Sequence, residues 1–335
     1  MKERVRWIDI AKGLLIVFVV IGHVVAAYRS AGMLNDSRWF TFLFTFPYTF
    51  HMATFFFVSG LLNSWTGTRR LSVLRCIRKR IITYGIPYVL FSVLQCVVKV
   101  ILSAYANNKI GVSDLLLIIW RPLGYLWFIY ALMFMVIIND VIAENKRKIL
   151  MPIACILYIM QYFVSGKMGT SFTDLIISDF MRFYIYFVLG VLFGQKYVRW
   201  LQSIVHKWRG LCVCLAISLF GSGIIQMFPS SKNFVSSLIL AFTGGTVILL
   251  ISIMIDKNHY LESLGTLSMP IYLLHDYFVV AGRIAMNKAG IPLFGGIIPI
   301  IVCTFIGVFL PILVYRISQK ILHLDFVFTP NKYIR

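Results

Sequence analysis

The stretch Trp7-Ile8-Asp9-Ile10-Ala11-Lys12-Gly13-Leu14-Leu15-Ile16-Val17-Phe18-Val19-Val20-Ile21-Gly22-His23 decides the fold. It is apolar enough, and long enough with the residues after it, to cross a hydrocarbon core of about 30 Å as a helix. Yet it holds a carboxylate, an ammonium and an imidazole. Lys12 and His23 are eleven residues apart. At 100° per residue that is three turns plus about 20°, so both face the same way, about 16 Å apart along the axis. Asp9 precedes Lys12 by one turn and can pair with it. The stretch carries no small-residue cleavage site after a short apolar region and reads as a retained helix, not a removed signal peptide.

The rest of the chain repeats the pattern. Of 335 residues, 60% are hydrophobic and 13% charged, with a mean hydropathy of +0.86. A soluble domain carries about 25% charge, so the class is all-α, a polytopic membrane protein. Ten spans are expected, at 8–28, 39–63, 81–102, 124–142, 149–165, 180–195, 210–228, 235–255, 266–286 and 293–316; the fifth and sixth are short and bounded by polar residues. No loop is long enough to be a domain, so residues 1–335 read as a single integral-membrane domain with no fused soluble domain. The longest loop, around 103–123, has room for an interfacial helix ending near Trp120.

The 32 Lys and Arg against 12 Asp and Glu sit in short clusters between apolar runs, which excludes nucleic acid as partner and points to the lipid bilayer. Alternate loops hold 21 and 8 of them, the smaller set including Arg29, Arg38 and Arg283. This asymmetry predicts both termini in the cytoplasm. The six cysteines show no metal-ligand spacing, and neither disulfide nor metal is expected.

Ionisable groups inside a span cost roughly 2.5–3.5 kcal/mol each on insertion scales and mark candidate sites. His23, His51 in Phe50-His51-Met52-Ala53-Thr54, and His275 in Ser268-Met269-Pro270-Ile271-Tyr272-Leu273-Leu274-His275-Asp276 fall at comparable depth on three spans. Each alone can be a packed histidine bonding a neighbouring helix. Three together suit a cavity where imidazole takes a proton from a hydroxyl and returns it. Lys12 can equally snorkel to the interface. The run Arg69-Arg70…Arg75-Cys76-Ile77-Arg78-Lys79-Arg80 is a positive-inside anchor, but six cations in twelve residues exceed what orientation needs. Arg75 and Arg78, one turn apart, can grip a phosphorylated ligand. Trp127 reads as an aromatic-belt anchor or a substrate contact, Arg182 as solvated or facing an anionic acceptor, and Ser59, Tyr84 and Tyr272 as lining or packing.

Five segments, Ile8–Gly13 with Gly22-His23, Phe50–Met52 with Phe56–Gly60, Arg75–Pro87, Leu126–Phe128, and Ser268 with Tyr272–His275, occur in the order found in the acyltransferase-3 family of bacterial membrane proteins. The chain resembles that family, and within it the fucose 4-O-acetylase-like branch. The resemblance implies a bacterial cytoplasmic membrane location, an acyl-CoA donor, commonly acetyl-CoA, and a glycan or lipid-linked sugar acceptor of the cell envelope. On that reading Lys12, Arg75, Arg78 and Arg80 hold the donor, and His23, His51 and His275 are catalytic. His23 serves as general base or acyl carrier. Asp9, Ser59, Trp127, Arg182 and Tyr272 contact substrate. Lys12 stands where many members have Arg, which would weaken bidentate phosphate binding. The alternative from another class is a proton-coupled transporter or flippase for a glycan or other polar solute. Self-association as a homo-oligomer stays open. The charge asymmetry makes a direct prediction: a reporter fused to the C-terminus will be active only as a cytoplasmic fusion, and periplasmic activity would reverse the assigned orientation.

Overall fold

The computed structural model describes residues 5–32, 38–66, 72–101, 116, 118–120, 122–164, 172–289, 297–321, 324–330 and 333. These fold into helices with no strand among them. In hydrocarbon every backbone amide and carbonyl must be satisfied within the chain, and a helix does this within one segment. In chain order the α-helices are α1 (Arg6–Ser30), α2 (Arg38–Thr45), α3 (His51–Thr66), α4 (Val73–Arg80), α5 (Ile86–Ile101), α6 (Trp127–Val141), α7 (Leu150–Val164), α8 (Phe172–Ser203), α9 (Lys207–Met227), α10 (Phe234–Ile255), α11 (His259–Thr266), α12 (Ser268–Lys288) and α13 (Ile297–Lys320). Among the described residues nine stretches are long and apolar enough to cross a membrane, or ten if α11 and α12, bent by 78°, form one broken span. The chain is a multi-pass membrane protein.

Two boundaries differ instructively from the sequence reading. The third span begins at Val73, so Arg75–Arg80 are part of the helix and not of the loop before it. A five-residue π-helical segment, Ile81–Gly85, joins α4 to α5 and the helix runs on through it. The sixth span, read as short, is the 32-residue α8. Its polar residues Asp179, Arg182, Gln195, Lys196 and Arg199 are helical, because long charged side chains at both ends of a span can reach polar surroundings while the backbone stays helical. The interfacial helix expected ahead of Trp120 lies largely outside the described residues, as do Arg69, Arg70 and Arg121.

The chain forms two compact units, Met1–Val58 with Gln195–Arg316, and Ser59–Gly194 with Ile317–Arg335. In the first, α1 is the central helix. It is apolar on all sides, and its buried residues, from Trp7 and Ile8 through Val19 and Val20 to Tyr28, occupy every face. It packs against α10, α11 and α12. The crossing with α11 is backbone to backbone: a side chain at Gly13 would strike the carbonyl of Leu261, and one at Gly265 the carbonyl of Asp9. Small residues let membrane helices approach this closely. Phe50, just before α3, and Thr54 of α3 fill the faces left by Gly244 and Gly245 of α10 in the same manner. Outward, α9 presents Val213, Ile217, Phe220 and Ile224, the spacing of a lipid-facing stripe.

In the second unit, Gly60 of α3 meets the backbone of Phe187 in α8. The α5 helix has one apolar exposed face (Val89, Val93, Val97, Val100) and one polar buried face (Tyr88, Ser92, Gln95). Without a bilayer this division would be inverted for a surface helix; with one, apolar residues face lipid and polar ones face protein.

Replacing Gly265 by Leu forces α1 and α11 apart. It is expected to lower the detergent-solubilised protein's stability by about 1–3 kcal/mol or more, the range for overpacking. Gly223, which has open space around it, is the control: Gly223→Ala should leave the melting temperature unchanged or raise it. Equal effects at the two positions would show that the α1–α11 contact is not tight.

Candidate functional site

Lengthwise, α1 brings its polar residues into two places in the first unit. At its start, Lys12 Nζ donates to Asp9 Oδ1 at 3.2 Å, the one-turn pair anticipated from spacing. Beside this end lies a cavity of about 710 Å³ lined by Arg6, Asp9, Asp256, His259, Glu262 and neighbouring residues of α1 and α11. Its carboxylates outnumber its cations, a poor match for phosphate.

Further along α1, His23 meets His275 of α12, ring centroid to ring centroid at 4.8 Å and nearly edge to face. His275 is fully buried. Its Nδ1 bonds the carbonyl oxygens of Tyr272, at 2.7 Å, and Ile271, at 3.2 Å. A carbonyl only accepts, so Nδ1 carries the hydrogen and Nε2 presents the lone pair. His51, at the start of α3, is held the same way: its Nδ1 bonds the Pro47 carbonyl at 2.6 Å. The cause is local. Pro47 opens a one-turn 3₁₀ helix, Pro47–Thr49, whose carbonyl points along the axis at the side chain four residues on. Tyr48 packs edge-on to His51 at 4.9 Å and covers Gly22, the residue before His23. Asp276 and His51 are both near enough to His23 to interact with it electrostatically. The structure therefore brings His23 and His275 into ring contact, sets Tyr48 between α1 and His51, and places Tyr272 as the backbone support of His275.

The remaining sequence-selected residues lie in the second unit. Arg75 and Arg78 are exposed on α4. Arg80, two positions on, turns inward: its Nε donates to Asp140 Oδ2 at 2.7 Å and its Nη2 to Asn63 Oδ1 at 2.9 Å. Asp140 also accepts from Asn63 Nδ2 at 3.1 Å. Arg80 thus ties α4 to α6 and α3 inside the unit and presents a different surface from its two neighbours. Trp127 opens α6 after a 3₁₀ turn, Gly124–Leu126, that starts from a left-handed glycine. It stacks on Phe183 at 5.6 Å, and the Arg182 guanidinium lies 5.3 Å from the same ring. Trp127 and Arg182, picked from separate spans, are joined through Phe183. Ser59 is half-buried in α3.

Sequence reasoning passed over Tyr48, Asn63, Asp140, Phe183 and the pair Ser92 and Gln95. Asp140 had a signal: it is a carboxylate inside the fourth span, the feature that singled out the histidines. Phe183 had none, being one aromatic among 28 phenylalanines.

Spanning helices with two histidines in ring contact, and a third braced nearby through its own Nδ1, define a multi-pass membrane protein with clustered buried imidazoles. The chain belongs to the acyltransferase-3 family: its residues 5–316 match the family's acyltransferase domain. It is similar to nodulation protein NolL of Sinorhizobium fredii, 29% identical over 221 residues that make up 62% of this chain and 55% of that protein. The NolL of Mesorhizobium japonicum is 26% identical over 211 residues, 62% of this chain and 52% of the relative. The chain spans about half the length of these curated relatives. No solved structure matches it.

The buried pair gives a stability prediction. Asp140→Ala leaves the Arg80 charge uncompensated and should cost about 3–5 kcal/mol. Adding Arg80→Met should restore most of that loss, read as recovery of the melting temperature in detergent. A double variant no better than the single one would mean that Asp140 acts through something other than Arg80.

Proposed function

We propose that the protein is a membrane-embedded O-acyltransferase that moves an acyl group, acetyl in the first instance, from cytoplasmic acyl-CoA to a hydroxyl of a cell-envelope or extracellular glycan. The observation that carries this reading is the His23–His275 contact at 4.8 Å, with the second imidazole fixed by backbone carbonyls. Membership of the acyltransferase-3 family supports the transfer chemistry. The likeness to the nodulation proteins agrees with it, over part of their length. The motifs that resemble the fucose 4-O-acetylase-like branch favour a sugar hydroxyl as the acceptor. The bacterial cytoplasmic membrane is the proposed location.

In this mechanism His23 is the general base. It takes the proton of the acceptor hydroxyl as that oxygen attacks the thioester carbonyl; the tetrahedral intermediate then collapses, the carbon–sulfur bond breaks, and the thiolate recovers the proton from His23. The products are the O-acyl sugar and free CoA. His275 fixes the orientation of the His23 ring. His51, Nδ1-protonated by its bond to Pro47, offers a second Nε2 towards the acceptor. Asp276 is near enough to interact with the charge that forms on His23. Arg75 and Arg78 are the donor's phosphate contacts, since they are exposed, one turn apart and on one face. Arg80 and Lys12 are already matched by Asp140 and Asp9, so their part is to set the helices that carry the site. Trp127, with Phe183 behind it and Arg182 beside that ring, is an aromatic surface suited to a sugar face.

His23→Ala should abolish acceptor-dependent CoA release, a loss of at least about 10²-fold, as for removal of a general base. Its melting temperature should stay close to that of the wild type. Arg75→Ala with Arg78→Ala should remove saturable acetyl-CoA binding, which His23→Ala should retain. Full turnover in the His23 variant would sink the assignment. Absence of any acyl-CoA binding by well-folded wild type would move the reading to a carrier.

A further inference from the structure

Arg283 lies in α12, two turns beyond His275, about 12 Å further along the axis. Sequence patterning counts it among the cations of the outer loops. The structure places it elsewhere: the residue is 6% exposed, enclosed in the first unit. Its Nε is buried with no hydrogen-bond partner, and among the described residues no carboxylate pairs with the side chain. Contrast Arg80, equally buried, whose guanidinium is met by Asp140 and Asn63.

The described groups that face Arg283 are neutral. Tyr28, one turn and a little beyond His23 on α1, bonds through its hydroxyl to Cys303 Sγ at 3.2 Å and lies 3.8 Å from Met286 Sδ. Tyr28 and Cys303 are both near enough to Arg283 to interact with its charge. Neither is an anion at neutral pH. Burying a cation without a counter-charge costs several kcal/mol, and such groups in membrane proteins mark ligand or ion pathways. The charge sits on α12, the helix that carries His275, displaced away from the Lys12 end.

We propose that Arg283 is the seat of an anionic oxygen group carried by the acceptor, a carboxylate or a phosphate, and that it fixes the acceptor while a hydroxyl further along the molecule is presented at His23. This rests on the acyltransferase reading for its consequence but not for its binding site. A guanidinium offers planar, paired donors to either oxyanion. The group could come from a uronic acid in the glycan or from the phosphate of a lipid-linked sugar; the chemistry at Arg283 is the same. The separation of about 12 Å along α12 means that the anion and the acylated hydroxyl belong to different parts of an extended acceptor and not to one sugar ring.

The test uses the whole protein in phosphatidylcholine nanodiscs, with methyl glucuronide and inorganic phosphate as probes and methyl glucoside as the neutral control. Wild type and His23→Ala should bind at least one of the anions saturably. Arg283→Gln should bind it at least tenfold more weakly, and Arg283→Lys should fall between. Binding of glucuronide alone identifies a uronic acid as the source, binding of phosphate alone a lipid-linked phosphate, and either supports the site. Removing an uncompensated charge should leave the melting temperature of Arg283→Gln equal to or above that of wild type without ligand. A drop rescued by Arg283→Lys in the absence of any anion would instead assign Arg283 a structural role and overturn the proposal. So would equal anion affinity in wild type and Arg283→Gln, or no anion binding by well-folded wild type. Acetyl-CoA binding and CoA release, measured on the same preparations, report on the acyltransferase reading separately: anion binding without them would leave the site standing and remove that function.

Discussion

The close crossing of α1 and α11 is the contact on which the first unit depends. Gly13 and Gly265 have no side chains, so the carbonyls of Leu261 and Asp9 come within reach of the opposite helix. Membrane helices gain nothing from hiding apolar surface from lipid tails, which are themselves apolar; close van der Waals packing and interhelical polar contacts must hold them together. A single added methylene at this crossing displaces backbone, not a pliable side chain. Because α11 leads directly into α12 through a 78° bend, the crossing also fixes where α12 starts. His275 follows seven residues later, beside His23.

Polar groups inside this protein are handled in two ways. Some are neutralised within the fold: Asp9 with Lys12, and Asp140 with Arg80 and Asn63. Others are held in a defined state. The imidazoles of His51 and His275 each commit Nδ1 to a backbone carbonyl of the preceding turn, which costs the helix little because such carbonyls retain a second lone pair. The lone pair is then on Nε2. The distinction separates residues that hold the bundle together from residues that can meet a substrate, and it divides the basic cluster on α4 as well. Arg80 belongs to the first kind. Arg75 and Arg78, exposed, belong to the second.

Such a division was only partly legible in the chain. That Arg75, Arg78 and Arg80 are not equivalent follows from the position of Asp140 on another span, and no local pattern announces it. Trp127 and Arg182 were each picked out alone; that Phe183 joins them depends on where α6 and α8 meet within one unit. Arg283 shows the opposite case. Its place in the sequence, near the end of an apolar run, suggested a solvated loop cation, and only its enclosure distinguishes it.

What the sequence determined by itself is the class of structure and the depth of its unusual residues. Apolar runs of about 20 residues have one solution in a bilayer, because helices alone satisfy their backbones within the segment. The helical repeat then sets the axial level of Lys12, His23 and His275 without any tertiary information. Tertiary structure decided which of these groups touch. The rotation of a membrane helix about its own axis is set by small residues at its contacts and by the partners it meets there. The pairing of His23 with His275, the committed charge of Arg80 and the burial of Arg283 with no carboxylate paired to it among the described residues are therefore properties of the packing.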